Sequence, residues 1–343
     1  MTLTMPNLRD SVRQERVDAL TAFRFTERQA RFLVTVLIHS GVFVPRQYRA
    51  FARIAHGQKT HDFLRRLVGR GMATVITPGA LHRGRLFHVQ FKPLYEAIGQ
   101  PDNRNRKPAS LGRFVERLML LDAVLADTRV TWLGTEQDKM NYFILDKQAD
   151  LPKHWYPHIV FGQGDDHTVR YFPEKLPIGI PRDAWGRHTF VYLVTREVPA
   201  DFRLFLLRHS WLLATLHEWT LRVLVPRRFR TAAALYRYAI RDGMATPLKP
   251  DEAKELDWFF RARLGRTQEP SPYGDLTVDA AAKKYGAARF RAIGRMWERE
   301  GESAIWTAQS HTVKNQLERG EGRIEFVELP HQYLHLTSLV GVA

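Results

Sequence analysis

The chain has 343 residues, 44% hydrophobic and 11% aromatic, a globular composition long enough for more than one hydrophobic core. It contains no cysteine, which excludes disulfides, thiolate metal sites and cysteine nucleophiles; no apolar run is long enough to span a bilayer or to serve as a secretory leader, so the expected location is the cytoplasm. The formal charge of +16 is unevenly placed: residues 1–110 hold 19 Lys and Arg against 7 Asp and Glu, and residues 111–343 hold 33 against 29, so the attraction for polyanions is concentrated in the first third.

In chain order, the first clear element follows Thr26, whose hydroxyl precedes Gln29 at capping-box spacing; Phe32, Leu33, Val36 and Leu37 then recur with helical period until Gly41. Pro45 opens a second helix that buries Tyr48, Phe51, Ala52 and Ala55 and ends at Gly57. Lys59 to Gly69 reads as a third helix, with Phe63, Leu64 and Leu67 inward and Lys59, His61, Arg65, Arg66 and Arg70 left polar. Two alternating runs, Ala73–Thr77 and Leu86–Gln90, form a hairpin whose tip carries His82, Arg83 and Arg85.

Three short helices and a basic hairpin are the plan of a winged helix-turn-helix over residues 1–100. In that plan the third helix reads base edges in the major groove, the wing follows the backbone, and Arg46 and Arg49 on the second helix clamp phosphates. Residues 101–110 are almost devoid of apolar side chains and predict a polar linker, with Arg104, Arg106 and Lys107 available to the backbone of double-stranded DNA.

Residues 111–343 predict a mixed-sheet α/β domain with a helical subdomain at 230–300. A helix begins at Ser110 and breaks at Trp132–Thr135. Strands are expected at Met140–Leu145, His158–Phe161, Thr168–Phe172, Thr189–Thr195 and Thr220–Val225, with a helix at Asp201–Leu216 before the last. Helices follow at Ala232–Ile240, Asp251–Leu264 and Ala288–Glu300; the end reads strand, helix, strand over Ala304–Thr307, Val313–Glu318 and Ile324–Leu329.

The Thr-Glu-Arg-Gln opening of the first helix, the polar linker and the α/β layout resemble the replication-relaxation proteins of bacterial plasmids and mobile elements. That resemblance implies a second domain related to the restriction-endonuclease fold. An active nuclease of that fold needs a carboxylate on one strand and an acid and a Lys one residue apart on the next, to hold Mg²⁺ and activate water. Here Pro157 is followed by His158, and Phe190 to Val194 carries no acid, so the domain reads as degenerate.

The principal expectation is therefore a non-catalytic DNA-binding protein without a cofactor, acting alone, as a homodimer or beside other mobile-element proteins. Two alternatives are an Mg²⁺-dependent nuclease using Asp165 or Asp166 with Glu174 and Lys175, and a docking subunit of a larger assembly. His331 with His335, and His154, His158 and His167, are weaker metal-ligand candidates. Phosphate-binding Gly-rich loops and the Gly-x-Ser-x-Gly nucleophile turn are absent from the sequence.

Overall fold

A computed structural model describes residues 8–55, 57–76, 85–146, 151–162, 167–182, 186–267, 270–271, 274, 276–333 and 336. The chain forms two compact units, Met1–Arg129 with Leu329–Ala343, and Val130–Glu328.

The first unit runs α1 (Leu8–Thr21), α2 (Glu27–His39), β1 (Val42–Phe43), α3 (Pro45–Ala52), α4 (Gln58–Gly69), β2 (Ala73–Ile76), β3 (Leu86–Val89), α5 (Lys92–Ala97) and α6 (Leu111–Ala126). Helix α2 starts where the sequence places it: Thr26 Oγ1 accepts from the Gln29 backbone and the Gln29 side chain accepts from Thr26 N–H. Pro45 occupies the first turn of α3, where its missing N–H is harmless. Strands β1, β3 and β2 pair antiparallel in that order, with Phe43 opposite Phe87 and Ala73 opposite Val89. The core is aromatic. Phe32, Phe43 and Phe63 are fully buried, and the Tyr48 ring lies 4.2 Å from that of Phe63. Each such ring contributes roughly 1.5–3 kcal/mol by leaving water.

Residues 101–110, polar as their composition requires, nevertheless dock onto this unit. Arg104–Arg106 forms a 3-10 turn, and Asn105 Nδ2 donates to the carbonyls of Leu37 and Ile38 at the end of α2. Gly41, at φ 71°, permits the approach: a Cβ there would stand 2.3 Å from the Asn105 carbonyl oxygen.

The second unit opens with β4 (Val130–Leu133) and α7 (Glu136–Met140), which passes into a π-helical turn at Asn141–Asp146. The hairpin β5 (His158–Phe161) and β6 (Thr168–Tyr171) follows, then β7 (Ile178–Pro181), β8 (His188–Leu193), α8 (Ala200–Thr215) and β9 (Trp219–Val225). Helices α9 (Ala233–Met244), α10 (Pro250–Arg263), α11 (Val278–Lys284), α12 (Ala288–Glu300), α13 (Ser303–Gln309) and α14 (Thr312–Glu318) precede β10 (Gly322–Glu328).

The main sheet has the order β10-β9-β8-β7-β4. It is mixed: β4, β7 and β8 are antiparallel, whereas β8, β9 and β10 are parallel, with α8 crossing between β8 and β9. The apolar face of α8, including Phe202, Phe205 and Leu212, packs on Phe190, Tyr192, Leu221 and Val223. Trp219 is fully buried and donates from Nε1 to Gln316 Oε1 at 3.0 Å. A second cluster, with Leu256, Phe260, Ile293 and Trp297, unites α10 to α13. No helix among the described residues is long and apolar enough to cross a membrane.

Three local expectations are corrected. Met140–Leu145 is helical because Thr135 caps α7 and the adjacent Tyr142 and Phe143 are both buried, which a half-exposed strand cannot achieve. Ala304–Thr307 lies in α13, where Ala304, Ile305 and Ala308 bury one helical face. Trp132–Thr135 does not break the helix, which ends at Ala126; Trp132 and Leu133 belong to β4, paired with β7. Strand β7 itself escapes a pattern reading because Gly179 and Pro181 are poor strand formers.

Candidate nucleic-acid interface

The cationic side chains singled out from the sequence separate into two groups according to what they touch. On α4, Thr60, Phe63, Leu64 and Leu67 point into the core, and Lys59, His61 and Arg65 are exposed. Arg65 pairs only loosely with Asp62, at 3.4 Å, and its side chain is 75% exposed. Arg85, just ahead of β3, is exposed, as are Arg104 and Lys107; Arg49 on α3 is half-buried.

Arg66 and Arg70 serve the fold directly. Arg66 Nη1 donates to the carbonyl of Arg24 at 2.8 Å and Arg70 Nη1 to that of Phe23 at 3.0 Å, pinning the turn between α1 and α2 where Arg24 adopts φ 62°. Both guanidiniums thus satisfy carbonyls of the turn that follows α1.

Arg46 is also committed internally. Its Nη2 donates to both oxygens of Asp122 at 2.7 and 2.9 Å and to Tyr333 Oη at 2.8 Å, while Tyr333 donates to Asp122 at 2.6 Å. Gln47, fully buried beside it, donates to Asp122 and to the Leu118 carbonyl and accepts from Val44 N–H. Burial, followed by the Asp122 carboxylate, raises the Tyr333 phenol so that it stays a donor. Arg106 is half-buried, its Nε enclosed without a hydrogen-bond partner. His82 and Arg83 lie outside the described residues, as do His335, Asp165 and Asp166.

In the second unit the structure gathers the nuclease candidate Glu174 with three groups that the sequence did not single out. Glu174 Oε1 accepts from Arg208 at 2.9 Å, and its Oε2 is buried without a hydrogen-bond partner. Lys139, 1% exposed, donates from Nζ to the Leu176 carbonyl at 2.7 Å. Burial lowers its pKa to about 8, opposed by the charge of Glu174. Burial likewise lowers His209 to about 4, so it is neutral and donates from Nδ1 to the Phe205 carbonyl.

The void beside Lys139, Glu174 and His209 is about 10 Å³, room for one water. A small-molecule site needs several hundred. Lys175 is exposed at φ 55°. Strands β5 and β8, where the sequence pattern would place the acids of a restriction-type nuclease, read His-Ile-Val-Phe and His-Thr-Phe-Val-Tyr-Leu.

His154, His158 and His167 are not all gathered at one point. His158 pairs with Tyr171 at one end of the β5–β6 hairpin and bonds to the Tyr156 carbonyl, whereas His167 adjoins the other end, where Phe161 pairs with Thr168. His154 and His158 line one small void with Glu300, and His331 is exposed. Among the described residues no group of three His, Asp or Glu side chains could hold a metal ion. Comparison with known proteins gives no matching family model, curated protein or solved structure.

Proposed function

We propose that this chain is a non-catalytic DNA-binding protein of the replication-relaxation kind, whose first unit is a winged helix that docks on duplex DNA and serves a bacterial mobile element. The carrying observation is the outward face of α4, where Lys59, His61 and Arg65 stand exposed on the third helix of an α2-β1-α3-α4-β2-β3 succession. A third helix so placed enters the major groove, where Arg reaches guanine edges and Lys reaches phosphate. Arg85 and Lys107 add phosphate contacts. The α8 crossover within a mixed sheet supports the nuclease-like layout of the second unit, and the acid-free β5 and β8 favour its reading as non-catalytic.

The test is fluorescence anisotropy of the full chain on random duplex DNA through a salt series, with Mg²⁺ present and the DNA examined for breaks. Affinity falls steeply with salt, and Lys59→Ala with Arg65→Ala reduces the log–log salt slope by up to about 2. Negligible binding at low salt, or a double variant indistinguishable from the parent, would overturn the reading. Cut DNA would replace it with the nuclease alternative.

A further inference from the structure

The second unit carries an arginine surface that the first third's charge excess obscures in the sequence. Residues 226–241, Pro-Arg-Arg-Phe-Arg-Thr-Ala-Ala-Ala-Leu-Tyr-Arg-Tyr-Ala-Ile-Arg, contain five Arg, no Lys and no acid. Helix α9 buries Tyr236, Ala239, Ile240 and Met244 and turns Arg237, Tyr238 and Arg241 outward, with Tyr238 51% and Leu235 50% exposed.

Three of these guanidiniums lie over aromatic rings: Arg237 is 4.3 Å from the centre of Phe326, Arg228 4.6 Å from Phe229, and Arg241 5.1 Å from Tyr238, whose ring also has Arg203 at 5.8 Å. Stacking fixes the plane of a guanidinium while leaving its edge N–H groups for a ligand. The neighbouring strand β10 offers two acids. Glu325 pairs with Arg222 at 3.1 Å and Glu328 with Arg230 at 3.2 Å, which leaves the surface strongly positive around Arg228, Arg237 and Arg241.

We infer that this face of α9, with the Arg227–Phe229 turn, binds single-stranded nucleic acid. The pattern is that of a stacking platform: guanidiniums take phosphates, and a half-exposed Tyr beside Arg offers a ring on which an unpaired base stacks without regard to sequence. A duplex hides its base faces and gains nothing from Tyr238. An acidic peptide would use the arginines but not the ring. The surface belongs to the other unit from α4, so its test does not depend on the duplex reading.

The experiment measures anisotropy of the full chain on labelled oligothymidine of about 20 nucleotides and on a duplex of equal length, because that span exceeds a typical single-strand site. Arg237→Ala with Arg241→Ala weakens oligothymidine binding at least about tenfold and duplex binding less than about threefold. Tyr238→Ala weakens it about fivefold or more, and Tyr238→Phe restores it, as stacking requires. Arg237→Gln with Arg241→Gln, which keeps helix propensity and polarity, repeats the loss if truncation disturbs α9.

Failure of the parent to bind oligothymidine, unchanged affinity in the variants, or equal losses on both probes would overturn the inference. So would displacement of oligothymidine by poly-glutamate as readily as by unlabelled oligothymidine, which identifies an acid-docking surface. Lys59→Ala with Arg65→Ala supplies the internal control: it affects the duplex probe alone, so the two proposals fail separately.

Discussion

The interiors of the two units solve the same packing problem with different chemistry. Around Phe32, Phe43, Tyr48 and Phe63 the first unit is aromatic, and apart from the Arg46–Asp122 pair its ionic contacts lie nearer the margin, where Arg66 and Arg70 donate to backbone carbonyls. The second unit takes ionisable groups inside: Lys139 and His209 are buried, the Glu174–Arg208 pair is nearly so, and Arg203, 6% exposed, pairs with Asp242 at 2.6 Å. A marginal arginine competes with water for its partner and contributes little beyond one hydrogen bond. A buried one neutralises a charge that has nowhere else to go. Similar side chains thus carry different consequences in the two units.

The comparison breaks most visibly at Arg208. Arg208→Ala strands the Glu174 carboxylate and lowers stability by about 3–5 kcal/mol, whereas Arg208→Leu with Glu174→Leu restores most of the loss, because replacing both members of a buried pair removes the desolvation cost as well. Urea unfolding of the three proteins measures both. If the single variant unfolds at the parent's midpoint, the pair is solvated and the contrast between the units is wrong.

The next effect is on pH dependence. Folded His209 has its pKa lowered from 6.5 to about 4, so the unfolded chain binds a proton more readily between those values. Its contribution is complete above pH 6.5 and is lost as the pH falls toward 4, on the order of 3 kcal/mol for a shift of this size. Thermal melts from pH 7 to 4 check this, with His209→Gln flattening that part of the profile. A slope unaltered by the substitution assigns the acid sensitivity elsewhere.

Smallest is the rim. Arg70→Ala costs about 1 kcal/mol, the net worth of a hydrogen bond that water can replace, and Arg66→Ala the same. Losses of 3 kcal/mol or more would show that the turn between α1 and α2 tolerates no solvent, and the two units would then differ less than their interiors suggest.

What could be read directly from the sequence was what is local in the chain. The Thr26–Gln29 cap, Pro45 at the start of α3, the inward stripe Phe63–Leu64–Leu67 and the β5, β6, β8 and β9 runs all follow from spacing over a few residues. The roles of individual arginines depend instead on distant backbone. Arg66 finds a carbonyl 42 residues away, Arg70 one 47 away, and Arg46 a carboxylate 76 away. No periodicity distinguishes such an arginine from Arg65, one position along and open to solvent. The same blindness applies to Lys139, polar on paper and enclosed in fact. Composition misleads at residues 101–110, where a polar string docks through the side chain and the backbone carbonyl of Asn105.

The hydrogen bond from Tyr333 to Asp122 spans 211 positions, so the first unit contains a contact whose two halves leave the ribosome at widely separated moments. At a synthesis rate of about 5–20 residues per second, Asp122 waits roughly 10–40 s for Tyr333 to appear. For that interval Arg46 and Gln47, both supplied early, hold the carboxylate alone, and the latch closes only after the whole second unit has been made.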